Sequence, residues 1–279
     1  NMGLYDNADG KVRLTDARGW LESAYVTFSP YPTAKSYHVY VKGGLYGNSY
    51  TRLDAPLVRD YGTYGRADAV GLRPADDYQF RIVPTDVDDH EITAAATETA
   101  PLTVQVYDRG GFAHFNYADG VGAYQNDGTL KPGTVVVYVT ASTAKTVQAT
   151  LSSGRFTGLQ AILTAYQKGN VTNPLAVRII GCVSAEDMDA LGSSSEGIQI
   201  KGKNNEKPLN ITFEGIGNDA TIKNMGFLVR NAQSVELRNL GILYCMDDGL
   251  SFDTNNLHCW AHHIDFFYGR NKGGDQAKG

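Results

Sequence analysis

Apolar and polar residues alternate with a period of two along much of the chain, in short runs closed by glycine, asparagine, serine or proline. Between residues 197 and 264 the runs repeat. Gly197-Ile-Gln-Ile-Lys201, Gly226-Phe-Leu-Val-Arg230 and Gly249-Leu-Ser-Phe-Asp253 share glycine, apolar, variable, apolar, charged. Asn210-Ile-Thr-Phe-Glu214, Ser234-Val-Glu-Leu-Arg238 and Asn256-Leu-His-Cys-Trp260 follow the same beat. Two short strands in each repeat of roughly 20–30 residues are the signature of a solenoid. The pattern predicts a right-handed parallel β-helix with coils about 4.8 Å apart. Ile198/Ile200, Phe227/Val229 and Leu250/Phe252 are expected inside, and Lys201, Arg230 and Asp253 outside. On a second face, Val235/Leu257 and Leu237/Cys259 are expected inside. Glu236/His258 and Arg238/Trp260 are expected outside, with Ile242 and Ile264 in step.

Upstream, Leu175-Ala-Val-Arg-Ile-Ile180 starts the coils and Thr134-Val-Val-Val-Tyr-Val-Thr140 is a further apolar strand. Between them, Thr157-Gly-Leu-Gln160 fits a capping box, and Leu159, Ile162, Leu163 and Tyr166 mark one helical face. This short helix is expected to cover the open end of the coils. Residues 1–107 read differently. Ala24–Phe28, Ser36–Val41, Tyr78–Val83 and Leu102–Val106 alternate between Pro, Gly and Asp turns, as in a β-sandwich. Leu72-Arg-Pro-Ala-Asp-Asp-Tyr78 places a Tyr two residues before inward Phe80 and resembles the tyrosine corner of a fibronectin type III-like domain. Asp108-Arg-Gly-Gly111 is the expected boundary, with residues 108–279 forming the second domain. The sandwich is expected to act as a spacer or, through Tyr46, Tyr50, Tyr61 and Tyr64, to meet sugars.

Composition sharpens this all-β reading. The 279 residues include 31 glycines and 17 tyrosines, and only 20% are charged. A net charge of −5 argues against nucleic acid or anionic membrane as partner. No apolar run approaches the roughly 20 residues of a membrane-spanning helix. Three cysteines are too few for a disulfide scaffold. Cys245 and Cys259 are expected to fill core positions or to pair across coils. The last residues, Gly273-Gly-Asp-Gln-Ala-Lys-Gly279, bring no cap for the coils, so a longer protein is expected.

Asp247-Asp248 precedes Gly249 at a loop between coil strands, where other coils carry Ser195-Glu196 and Asn224-Met225. Adjacent carboxylates suit a hard cation such as Ca²⁺, or form a solvated acidic turn. Glu196, two coils away at roughly 10 Å, is expected to lie too far to share an ion. His258 and His262 would face one zinc on a helix but not on a strand. His262 is expected in the core, in the place of Leu240 one coil earlier.

Asn210-Ile-Thr-Phe-Glu-Gly-Ile-Gly217, Gly226-Phe-Leu-Val-Arg-Asn231, Val235-Glu-Leu-Arg-Asn-Leu240 and Asp247-Asp-Gly-Leu-Ser-Phe252 together resemble polysaccharide lyase family 1, the pectate lyases, over residues 120–279. The family's members cleave polygalacturonate by β-elimination. The resemblance implies a secreted, cell-surface or periplasmic monomer acting on an acidic plant polysaccharide. It implies Ca²⁺ at Asp248 with Asp247, and a catalytic arginine after Gly279, so that these 279 residues alone are expected to be inactive. Lys201, Arg230 and Arg238 are the expected ligands of uronate carboxylates. Trp260-Ala-His-His263 departs from the family's Trp-x-Asp-His. Two other readings stay open: a non-catalytic β-helix that binds polysaccharide, and a β-helix pectin hydrolase or esterase.

Overall fold

A computed structural model describes residues 9–192 and 196–269. Ser195 and the stretch from Gly273 to Gly279 lie outside them. The described residues are mostly β, with several sheets and one short α-helix. It divides into two compact units: residues up to Asp108 with Asp127–Thr129, and Arg109–Asn126 with the chain from Leu130 onward.

The first unit has nine strands: β1 (Leu14–Trp20), β2 (Ser23–Phe28), β3 (Ser36–Gly43), β4 (Thr51–Arg52), β5 (Val58–Asp60), β6 (Gly65–Val70), β7 (Asp77–Thr85), β8 (Thr97–Glu98) and β9 (Leu102–Thr103). They form two antiparallel sheets. One runs β1-β2-β6-β5; the other runs β4-β3-β7-β8, with β9 also on β7. Alternate residues Ala24, Val26 and Phe28 of β2, Val39 and Val41 of β3, and Phe80 and Ile82 of β7 are buried. Period-two burial gives each sheet one apolar face. Tyr78 is 1% exposed, and its hydroxyl accepts from the Arg73 backbone N–H at 3.0 Å. The same hydroxyl donates to the Arg73 carbonyl at 3.3 Å, which fixes the corner leading into β7.

The second unit contains β10 (Val135–Val139), β11 (Gln148–Leu151), β12 (Gly154–Thr157), α1 (Leu159–Ala165), β13 (Leu175–Ile179), β14 (Cys182–Ser184), β15 (Gly197–Lys201), β16 (Ile211–Gly215), β17 (Thr221–Lys223), β18 (Gly226–Arg230), β19 (Gln233–Leu243), β20 (Leu250–Phe252) and β21 (Leu257–Phe267). Apart from the antiparallel pair β11–β12, its strands pair in parallel ladders. The first runs β10-β13-β16-β19-β21 and the second β15-β18-β20; a third joins β14 and β17 to the later halves of β19 and β21. In the first ladder Val135, Leu175, Ile211, Val235 and Cys259 form one inward row, and Val137, Val177, Phe213, Leu237 and Ala261 the next. These rows, the inward residues of β15 and β18, and Leu159, Ile162 and Leu163 of α1 make one core.

Ile198, Phe227 and Leu250 stack in register, as do Ile200, Val229 and Phe252. The β19–β21 register differs from expectation by two residues: Val235 meets Cys259, Arg238 meets His262 and Leu240 meets Ile264. Within a straight run a slip of two keeps each side chain on its face, so alternation alone cannot detect it; across a corner such as Asn239, at positive φ, the face changes. His262 therefore sits in an outward row and not in the core. The coil corners carry the true spacing. Asn210, Ser234 and His258 all adopt positive φ, as do Asn231 and Asn255. Side chains bridging the coils of β16 and β19 are 24 residues apart.

The N-terminus of α1 is also capped differently. Gly158, not Thr157, is the N-cap, and its position leaves no side chain to serve. Asp189 supplies the acceptors instead, Oδ1 for Gln160 N–H at 2.9 Å and Oδ2 for Ala161 N–H at 3.0 Å. Gln160 points toward β15. Its Oε1 accepts from Gln199 N–H and its Nε2 donates to Gln199 O, both at 3.0 Å. One side-chain amide thus satisfies the edge of β15 as a neighbouring strand would.

Candidate functional site

The outward surface of β15, β18 and β20 presents Gln199, Leu228 and Ser251 in one row, then Lys201 and Arg230. Asp247 and Asp248 lie in the loop that enters β20. Gly226 holds that loop close: its Cα lies against the Asp248 and Gly249 carbonyls, where any Cβ would collide. Ser251 Oγ is 3.0 Å from Asp248 Oδ2 and 3.2 Å from Glu196 Oε1. Glu196 therefore reaches the same hydroxyl as Asp248, contrary to the distance expected from strand spacing. Backbone spacing ignores the glutamate side chain, which runs across the intervening coil. A hydroxyl has one proton and ionised carboxylates only accept, so Ser251 satisfies one of the two at a time. Two acidic groups thus meet at one hydroxyl, an arrangement that suits a cation.

Cys245 and Cys259 are both free thiols and do not pair. Cys245 Sγ donates to the Asp247 carbonyl at 3.2 Å. Its thiol is pushed up by burial and by the nearby Asp248 and Asp247 carboxylates. Beside the acidic loop, Arg230 Nε donates to Asp253 Oδ2 at 3.0 Å and NH2 reinforces the pair. Arg230 holds the Asp253 carboxyl below its ordinary range. Lys201 is half-buried in the same row.

Arg238 belongs elsewhere. It points outward from β19 as expected, yet it is 3% exposed. The outer face of its ladder is covered by the Arg109–Asn126 segment, with Ala123 and Tyr124 packed on Ala176 and Val136. Gly122, at φ +78°, lies against Thr212 and Glu236 where a Cβ would not fit. Gly122 N–H donates to Ser234 Oγ at 2.9 Å and Ala123 N–H to Thr212 Oγ1 at 2.8 Å. A polymer on the surface cannot reach the Arg238 guanidinium, which corrects its expected role as a uronate ligand.

Beneath that cover runs a ladder of alternating charge: Tyr138, Arg178, Glu214, Arg238 and His262 are neighbours in register. Arg178 Nε donates to Glu214 Oε1 at 2.9 Å, and Arg238 NH2 to Glu214 Oε2 at 2.8 Å. The Tyr124 hydroxyl donates to Glu214 Oε1, and its ring lies 4.1 Å from the Arg238 guanidinium. Burial acts to raise the Glu214 carboxyl, but Arg238 and Arg178 outweigh it and hold the group below its ordinary range. Glu236, 1% exposed, accepts from Thr212 Oγ1 at 2.9 Å and faces His262 Nε2 at 2.8 Å. Trp260 stacks on His262 with centroids 3.5 Å apart, and His114 meets Trp260 edge-on. Polar residues at alternate positions read as solvent-facing, so nothing in the local pattern announced this network.

Among the described residues, one group of three potential metal ligands converges to within 4.8 Å: Asp86, Asp88 and His90, in the first unit and exposed or half-exposed. Asp247, Asp248 and Glu196 do not form such a trio by themselves. The tyrosines singled out for sugar stacking are engaged with other side chains. Tyr61 and Tyr64 stack on each other at 4.8 Å, Tyr46 packs edge-on to Tyr78, and Lys42 lies over Tyr50. No helix among the described residues is long and apolar enough to cross a membrane.

No family model matches the chain, and no curated protein matches it. Among solved structures it is similar to a β-1,2-glucanase from Parabacteroides distasonis, with a TM-score of 0.26 and 14% identity. The match covers 39% of this chain and 15% of the length of that one.

Proposed function

We propose that the first unit is a fibronectin type III-like sandwich and the second a right-handed parallel β-helix of the pectate lyase type. In the full-length, secreted or cell-surface protein it acts on polygalacturonate by Ca²⁺-dependent β-elimination. Two antiparallel sheets with the Tyr78 corner support the first assignment. Three parallel ladders joined coil by coil support the second.

One observation carries the functional reading: Glu196 and Asp248 converge on Ser251 at a partly exposed sheet surface. Oxygen-only ligands of this kind fit Ca²⁺, which takes 6–8 of them, so carboxylates of the polymer and water complete the shell. Asp248 and Glu196 would hold the ion, with Asp247 adjacent. Held there, Ca²⁺ would supply charge neutralisation for a uronate carboxylate and so acidify the proton on the neighbouring carbon. In the elimination a base takes that proton, the C–H electron pair becomes the new double bond, and the glycosidic oxygen leaves and is protonated. Arg230 and Lys201 lie in the adjoining row to orient further uronates, Arg230 by exchanging Asp253 for a substrate carboxylate.

The chain itself provides a binding test. Electrophoresis through polygalacturonate gels should show retardation in Ca²⁺ that chelator abolishes, with Asp248→Asn weakening it at least about tenfold. Migration of the wild-type chain unchanged by Ca²⁺ would reject the site.

A further inference from the structure

Four of the chain's six histidines, His114, His258, His262 and His263, fall in the second unit and gather around Trp260. His262 Nε2 lies 2.8 Å from Glu236 Oε2, and His262 Nδ1 lies 2.8 Å from His263 Nδ1. These two contacts determine the proton positions. A carboxylate only accepts, so His262 Nε2 carries a hydrogen, and in a neutral ring its Nδ1 is then bare. His263 Nδ1 must carry the hydrogen that it donates to His262, leaving His263 Nε2 as acceptor. His263 is exposed and His262 is largely covered, so the chain of hydrogen bonds runs from solvent to a buried carboxylate.

We propose that His263, His262 and Glu236 form an acid-sensitive latch that holds the Arg109–Asn126 segment on the outer face of the second unit, and that protonation of His262 releases it. A proton on His262 goes to Nδ1, the nitrogen that accepts from His263, while His263 Nδ1 still carries its hydrogen. Two N–H groups then face each other, and the His262–His263 bond is lost.

The surroundings of His262 oppose that proton. Glu236 and Arg238 face it from β19, Trp260 and His263 from its own strand, and His114 with Arg109 from the covering segment. Arg238 is its neighbour in the ladder, so an imidazolium would place like charges side by side. The buried acids Glu214 and Glu236 are already matched by Arg178 and Arg238. Burial pushes the His262 imidazole below its ordinary value; Glu236 opposes this, while Arg238 and His263 add to it.

Two routes carry the change to the segment. Glu236 holds His262 through one oxygen and Thr212 through the other, and Thr212 accepts from Ala123 N–H. Trp260, stacked on His262, receives the edge of His114, while next to it His258 faces the Ala113 carbonyl at 2.9 Å and stacks on Tyr117. The sign follows from linkage. A histidine with a depressed value in the closed state binds its proton more tightly once released, so closure is complete above about pH 6.5 and weakens as pH falls.

Hydrogen exchange of peptides spanning residues 112–124 tests this in the full chain, at about pH 7.5 and pH 5 and corrected for intrinsic rates. The expected result is roughly tenfold faster exchange at the lower pH. Equal protection at both pH values would overturn the proposal. His262→Gln keeps a donor for Glu236 but does not titrate, so its protection should not change with pH; the same acid loss in this variant would also overturn it. Nitrogen chemical shifts of the wild-type histidines at neutral pH give a reading that needs no variant. His263 should be in the Nδ1–H form, and the Nε2–H form would contradict the latch.

Discussion

Glu214 accepts hydrogen bonds from Arg178, Arg238 and Tyr124, and this allows a carboxylate to stay ionised at 2% exposure. Glu214→Gln removes the charge between two buried guanidinium groups, leaving Arg238 with Glu236 and Arg178 with the hydroxyls of Tyr138 and Tyr124. Breaking a buried pair in this way costs about 3–5 kcal/mol, and urea unfolding should show a loss of that order; a loss under about 1 kcal/mol would contradict the ladder. Because the arginines hold the folded carboxyl below its unfolded value, the stabilisation is present above about pH 4.3 and is lost as pH falls through the lower folded value. The variant should lack that acid-dependent loss. Asp247 and Asp248 were legible as an acidic loop, and Lys201 and Arg230 as outward charges. Arg238 was legible as outward but not as covered, because the covering residues Gly120–Tyr124 carry no periodicity and read as a loop.

Strand patterning located β2, β3, β7, β13, β15 and β18; β2 and β15 keep one face in a core and one partly exposed, whereas β13 and most of β18 are buried on both faces. It missed β1, whose Asp16-Ala-Arg-Gly19 segment lacks an apolar stripe. It also set β21 two residues out of register. Asn231 and Asn255, both in the left-handed region, are the sequence signal that would have given the right spacing. The cap of α1 could not be read locally because Asp189 arrives from a distant loop. The helix contributes most through Gln160, whose amide pairs with both backbone groups of Gln199. Gln160→Leu should leave that N–H and C=O buried and unpaired, at a cost of about 2–4 kcal/mol for the two groups. Denaturant unfolding measures the loss, and an unchanged midpoint would show that α1 does not seal the edge of β15.

At the scale of the molecule, a chain of net charge −5 meeting a polyanion needs a bridging cation or a local cationic surface. The sheet surface of β15, β18 and β20 carries an acidic cluster beside Arg230 and Lys201, so on the proposed function selectivity should depend on Ca²⁺ and on uronate carboxylates together. Neutral glucans should not be retained under conditions that retain polygalacturonate. The repeat, the division of strand types and the acidic loop were all visible as patterns along the chain. The convergence of Glu196 with Asp248 was not, because it depends on a side chain crossing a coil.

The most direct measurement is the release of unsaturated, ultraviolet-absorbing product from polygalacturonate by the full-length protein, with Ca²⁺ and with chelator. Product is expected only with Ca²⁺, and at least about a hundredfold less from Asp248→Asn. Ca²⁺-dependent retention of the polymer without product would leave a binding protein in place of a lyase, and absence of product with or without Ca²⁺ contradicts the proposed reaction.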